Sequence, residues 1–121
     1  MMERPENVVV KRTEAFADRI VKMHRYLLSK RQDNVEMLKQ IVRSGTSIGA
    51  NTAESQYAQS MADFLTKLTI ALKEANETKF WLQRLYAANY LSEPEYESIM
   101  DDNVEIIKLL TSITKTVKSN Q

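Results

Sequence analysis

Cysteine is absent from the chain, so disulfides, thiolate metal centres and a cysteine nucleophile are all excluded, and the fold has to rest on packing. Glycine and proline occur twice each among 121 residues, while Ala, Leu, Met, Glu, Lys, Gln and Arg are abundant. That composition argues for long helices joined by short turns and against a sheet. No run of about 18 apolar residues occurs, and Met1 to Glu6 contain no apolar signal core, so neither a membrane span nor secretion is expected and a cytoplasmic location follows. The only histidine, His24, lacks recognisable partners for a catalytic triad or metal site, and the Glu-x-x-His pattern of bundle di-metal proteins is missing. An enzyme is therefore not expected, nor a metal or other cofactor.

What is present reads as one all-α domain. Pro5 and the β-branched run Val8-Val9-Val10 predict an extended N-terminal arm over residues 1–11, ahead of a helical domain over residues 12–118. Helix one is predicted to start near Thr13 as N-cap and to run to Lys30, with Phe16, Ile20, Met23 and Leu27 on one face. Asp33-Asn34-Val35-Glu36 starts a second helix, reaching Tyr57 with Leu38, Ile41, Val42, Gly45, Gly49, Thr52 and Ala53 inward. Ser60 with Asp63 starts a third, whose predicted stripe is Phe64, Leu65, Leu68, Ala71, Leu72, Ala75, Leu82 and Tyr86. Ser92-Glu93-Pro94-Glu95 is the clearest start signal: a serine N-cap, glutamate at N3 and proline in the first turn. The fourth helix follows to Lys118 on Ile99, Asn103, Ile106, Leu110, Ile113 and Val117. Four helices with short loops predict an antiparallel up-down-up-down four-helix bundle.

Several features bear on function. Ser44-Gly45-Thr46-Ser47-Ile48-Gly49 resembles a phosphate loop superficially, but it lacks the Gly-Lys-Ser/Thr ending and lies within a helical period. Two glycines in a helix cost roughly 1 kcal/mol each relative to alanine, so Gly45 and Gly49 mark a face approached closely by a neighbouring helix. Arg43, Ser47, Asn51 and Glu54 form a polar line beside that face. A hairpin folding back near residue 59 sets Arg43 level with Glu74, with Lys108 as the competing cation for that carboxylate. Asn103, between Ile99 and Ile106, has the place of a register-fixing core amide. Phe80 and Trp81 lie well off the main stripe of helix three, with Ile70 and Leu85 on Trp81's side. Such a second apolar patch implies a partner, most simply a second copy, unless the rings lie along the bundle flank. Residues 1–43 carry ten Lys/Arg against six Asp/Glu, whereas residues 44–121 carry seven against ten. Within the basic part, Arg19, Lys22, Tyr26 and Lys30 form a strip suited to phosphate contacts and base stacking, or simply a solvated helix face.

The segment Arg43-Ser44-Gly45-Thr46-Ser47-Ile48-Gly49-Ala50-Asn51 carries a resemblance to a known family, together with Asp63-Phe64, Lys67-Leu68, Ile70-Ala71-Leu72-Lys73-Glu74-Ala75, Glu77-Thr78 and Trp81-Leu82. The chain resembles the bacterial four-helix-bundle proteins related to those encoded in intervening sequences of large-subunit ribosomal RNA genes. Weaker similarity at Phe16-Ala17 and Leu109 to Ile113 extends it over residues 12–118. The resemblance implies an up-down-up-down bundle assembled as a homopentamer, and relatives associated with retroelements imply nucleic-acid binding. The expected function is thus a homo-oligomeric binding module that contacts RNA or DNA through helix one. The alternative is a scaffold that docks a protein and has no nucleic-acid role.

Overall fold

The computed structural model describes residues 5–30 and 33–120. Four helices account for nearly all of them: α1 (Pro5–Lys30), α2 (Val35–Ser55), α3 (Met61–Ala87) and α4 (Glu93–Ser119). Among the described residues there is no strand, and no helix is long and apolar enough to cross a membrane. Each helix packs on its neighbours in the cyclic order α1, α2, α3, α4, with α1 closing back on α4 along the sparsest seam. This is the antiparallel up-down-up-down four-helix bundle.

The helix starts follow from local chemistry. Asn34, Ser60 and Ser92 each accept a hydrogen bond from the backbone N–H three residues on. At Ser92 the Glu95 carboxylate also accepts from the serine N–H at 2.8 Å, completing the reciprocal cap. Helix α3 stops at a Schellman turn: Tyr90 N–H donates to the Leu85 carbonyl, Asn89 N–H donates to Tyr86, and Asn89 takes a φ of 63°. The Tyr90 hydroxyl then donates to Asp33 at 2.8 Å, tying the α3–α4 turn to the start of α2.

The start of α1 corrects the sequence reading. The predicted extended arm is helical from Pro5 onward, while residues 1–4, where the rest of that arm falls, lie outside the described residues. Proline is tolerated in a first turn, where its missing N–H has no helical partner to lose. Val9 is fully buried. Burial of such a side chain stabilises by roughly 1.5–3 kcal/mol, which outweighs the few tenths that β-branching costs a helix. Thr13 is consequently no N-cap; its hydroxyl donates to the carbonyl of Val9 at 2.8 Å.

The buried positions repeat at alternating steps of three and four: Val9, Thr13, Phe16, Ile20 and Leu27 on α1, with half-buried Met23 between the last two; Leu38, Ile41, Gly45, Ile48, Thr52 and Ser55 on α2; Leu68, Ala71, Ala75, Thr78, Leu82 and Leu85 on α3; Ile99, Asn103, Ile106, Leu110 and Ile113 on α4. That is the 3.5-residue spacing of supercoiled bundles. It also explains a second correction. A straight 3.6-residue period puts Tyr86 beneath Leu68, but a 3.5-residue seam drifts by about 20° per heptad and brings Leu85 inward instead. Leu85, expected on an oligomer face, is fully buried in the core, and Tyr86 is partly exposed, stacked on Tyr96 at 4.3 Å.

Candidate interaction surfaces

The antiparallel pairing of α1 with α4 sets the basic strip against acidic residues. Arg19 donates to Asp102 at 2.6 Å, to the Ser98 hydroxyl at 3.0 Å and to the Ser98 carbonyl at 3.3 Å. Two turns earlier on α1, Arg12 pairs with Glu105 at 2.5 Å. The cationic excess of the first third of the chain is thus partly neutralised by the chain itself. Lys30 lies with its ammonium 4.6 Å from the centre of the Tyr26 ring, and Lys22 is exposed. Between these helices runs a groove of about 620 Å³, floored by Met23, Leu91, Pro94 and Ile99. Arg19, Lys22, Tyr26 and Glu95 line its rim. The Ser92 backbone N–H, followed by the Ser92 hydroxyl, holds the Glu95 carboxyl below its ordinary range, so the rim carries a fixed anion among its cations. The sequence reading found the α1 side of this groove and missed the α4 side, because only the closing of the bundle brings the two together.

On the opposite side, α2 and α3 build a second cluster. Arg43 donates to Glu74 at 3.1 Å, to Gln40 at 3.3 Å and, in the closest contact, to Glu77. The Glu77 hydrogen bond leads in raising the Arg43 pKa above its usual value. Arg43 keeps 46% of its side chain exposed and Glu74 16%, so the pair is half-buried. The predicted polar line does not act as one network. Ser47 donates to the Arg43 carbonyl and Asn51 to the Ser47 carbonyl, both within α2, while Glu54 pairs with Lys67 at 3.5 Å. Short hydroxyl and amide side chains reach their own preceding turn more readily than a neighbouring helix. Glu77, which sequence reasoning missed, lies one turn beyond Glu74 and one turn before Trp81, whose indole N–H donates to it at 3.1 Å. Lys108 is exposed on α4 and does not take the place of Arg43.

Trp81 is thereby fixed at the edge of a groove of about 530 Å³, lined by Met37, Gln40, Phe80, Arg84 and Ala88 among others. Phe80 stands edge-on to Trp81 at 5.0 Å with 48% of its surface exposed, and Arg84 lies 5.3 Å from its ring centre. Ile70 is also exposed, nearly three turns back along α3 and apart from this groove. Of the four residues expected on the second apolar patch, Phe80 and Trp81 come together, Ile70 lies further along the same helix, and Leu85 belongs to the core.

Gly45 and Gly49 face α1. A Cβ on Gly45 would stand 2.9 Å from both γ carbons of Ile20, and one on Gly49 would stand 3.1 Å from the Thr13 carbonyl oxygen. Asn103 is fully buried and donates to the Ala75 carbonyl at 3.0 Å, while its own amide oxygen has no partner. His24 is half-buried on α1, and among the described residues no group of three or more His, Asp or Glu is arranged to hold a metal ion.

Residues 5–112 match the family model of the 23S rRNA-intervening sequence protein. A crystal structure of a protein of unknown function from the S23 ribosomal protein family, from Bacteroides thetaiotaomicron VPI-5482, is similar at a TM-score of 0.87 and 51% identity, covering 93% of this chain and 99% of that one. No curated protein matches the chain.

Proposed function

The chain belongs to the 23S rRNA-intervening sequence protein family, and from that premise we propose that it is a self-assembling helical module, a homopentamer that binds other macromolecules and catalyses nothing. The observation that carries the assembly reading is the Phe80–Trp81 pair: one ring nearly half exposed, the other fixed by Glu77, beside an open apolar groove. Aromatic groups held rigid before binding lose little entropy on docking and are typical anchors of protein interfaces. The number five comes from the family resemblance. Light scattering on purified protein at micromolar concentration tests both parts, with five times the 14.0 kDa protomer mass expected. A monomer overturns the assembly reading, and a stable dimer overturns the number alone.

Binding of RNA or DNA through α1 is the second reading, favoured by exposed Lys22 and Tyr26 and by the repetition of any such strip around a ring. Arg19 is already held by Asp102 and Ser98, which weakens that strip and favours a protein scaffold. Titration of labelled RNA and DNA at low and physiological salt separates the two. Affinity that falls steeply with salt supports the nucleic-acid role, and no binding at about 50 mM salt leaves the scaffold.

A further inference from the structure

The chain has five tyrosines, and the fold places them in different surroundings. Tyr57 is 87% exposed and Tyr26 42%, and among the described residues neither ring meets another aromatic ring. Tyr90 is buried, with its hydroxyl donated to Asp33. Tyr86 and Tyr96 lie on each other, ring centres 4.3 Å apart and planes inclined by 10°. Both backbones that carry this stack are pinned: the Tyr86 carbonyl accepts from the Asn89 N–H where α3 ends, and the Tyr96 N–H donates to the Ser92 carbonyl where α4 begins. A bond between the two rings would therefore span the whole α3–α4 turn.

We infer that Tyr86 and Tyr96 form a site of oxidative cross-linking, whose co-substrate is a peroxide acting through a haem peroxidase. Each phenol gives up one electron and one proton to become a phenoxyl radical. The two radicals join by a carbon–carbon bond between ring positions ortho to their oxygens, and the hydrogen on each joined carbon then moves to the oxygen and restores the hydroxyl. The peroxide takes up the two hydrogens removed and leaves as two waters. Three features select this pair. In a stack, a radical on one ring has the other phenol as its nearest neighbour, which is true of no other tyrosine here. Bonding requires the rings to turn from stacked to edge-joined, and Tyr86, 38% exposed in the last turn of α3, has room to turn. No cysteine is present to reduce a tyrosyl radical. The product staples α3 to α4, and because a cross-link removes freedom from the unfolded chain, the stapled protein should melt at a higher temperature.

The full-length chain, treated with hydrogen peroxide and a haem peroxidase and then mapped by peptide mass spectrometry, tests this. A protomer with Tyr86 joined to Tyr96 and two hydrogens lost between them is expected, together with the blue emission of coupled phenols. Tyr96→Phe keeps a ring for the stack and removes the phenol, so it should abolish both signals. Replacing Tyr26 and Tyr57 together by phenylalanine should leave both unchanged. Exposed Met61 also takes oxygen from peroxide, which adds mass, so the mapped bridge decides and not the total mass. Absence of any bridge, a bridge mapped to Tyr26 or Tyr57, or emission that survives Tyr96→Phe overturns the assignment.

Discussion

Replacing Gly45 by alanine tests whether α1 is seated by steric fit on α2. In an exposed helix interior the change should stabilise by roughly 0.5–1 kcal/mol, because alanine is the better helix former. Here the new Cβ would stand 2.9 Å from both Cγ1 and Cγ2 of Ile20, a fully buried, β-branched side chain with no free end to swing away. Overpacking of that kind costs about 1–3 kcal/mol, so the net result should be a loss of roughly 1–2 kcal/mol. Urea unfolding at fixed protomer concentration reads it as a lower midpoint with an unchanged slope. The second arm of the experiment reverses the sign. Ile20→Ala removes both γ carbons and by itself costs about 2–5 kcal/mol, but in that background Gly45→Ala should stabilise, since the clash is gone and the propensity gain remains. Gly45→Ala that stabilises the parent chain, or a sign that stays the same in the Ile20→Ala background, would refute the close approach.

Glu77→Gln keeps an acceptor for the Trp81 indole but removes the charge facing Arg43; with Arg43 46% exposed, the loss should stay within about 1 kcal/mol, read by denaturant titration of the emission of the only tryptophan. A loss of about 3 kcal/mol or more would mean the pair is far drier than its exposure indicates. The Glu95 carboxyl titrates below its ordinary value when folded, so it stabilises above the unfolded pKa of about 4.3 and loses that contribution as pH falls through the folded value. Glu95→Gln should therefore show a flatter melting-temperature profile than the parent through the acid range, and coincident profiles would remove the cap from the account. Asn103→Asp keeps the shape but buries a carboxylate whose oxygen position has no donor; it should cost about 3 kcal/mol or more at neutral pH and recover in part on acidification, whereas a pH-independent change would contradict the burial.

Helix starts were legible because they are decided within four residues. Ser92 and Glu95 each accept from the other's backbone N–H whatever the rest of the chain does, and Asn34 and Ser60 each accept from the N–H three residues on without a return bond. The level of Arg43 with Glu74 was legible for a related reason: a short connection joins α2 to α3, so the turn fixes their register. The start of α1 was hidden because it depends on where Val9 is buried, which no local propensity reports. Leu85 was hidden by the difference between a straight and a supercoiled period, small per turn but decisive by the fifth turn from Leu68. The partners of Arg12 and Arg19 lie on α4, 93 and 83 residues away in sequence, and only the closing seam brings them near. Charge patterning on one helix shows a basic face but not the acid that meets it.

The polar residues of the core show how each seam finds its register. Thr52, Ser55 and Thr114 return their hydroxyls to carbonyls of their own helix, as Thr13 does, and so say nothing about a neighbour. Two buried hydrogen bonds do cross between helices: Thr78 to Ser44 at 2.9 Å between α3 and α2, and Asn103 to Ala75 between α4 and α3. The Thr78–Ser44 bond needs a hydroxyl on both helices at one level, and a slip by one turn would leave those buried groups without each other at about 1–3 kcal/mol apiece, whereas Asn103 uses a backbone carbonyl of a kind that recurs at every turn. Among the described residues, no such bond joins α1 to α2. Gly45 and Gly49 take its place, because Ile20 and the Thr13 carbonyl fit against α2 only where no Cβ stands in the way. The bundle therefore specifies α2–α3 by a side-chain hydrogen bond and α1–α2 by shape, ties α4 to α3 through the Asn103 amide, and leaves α1–α4, the sparsest seam, to exposed ion pairs. Such pairs contribute little to stability, so the seam least committed within the protomer is also one that carries an open groove.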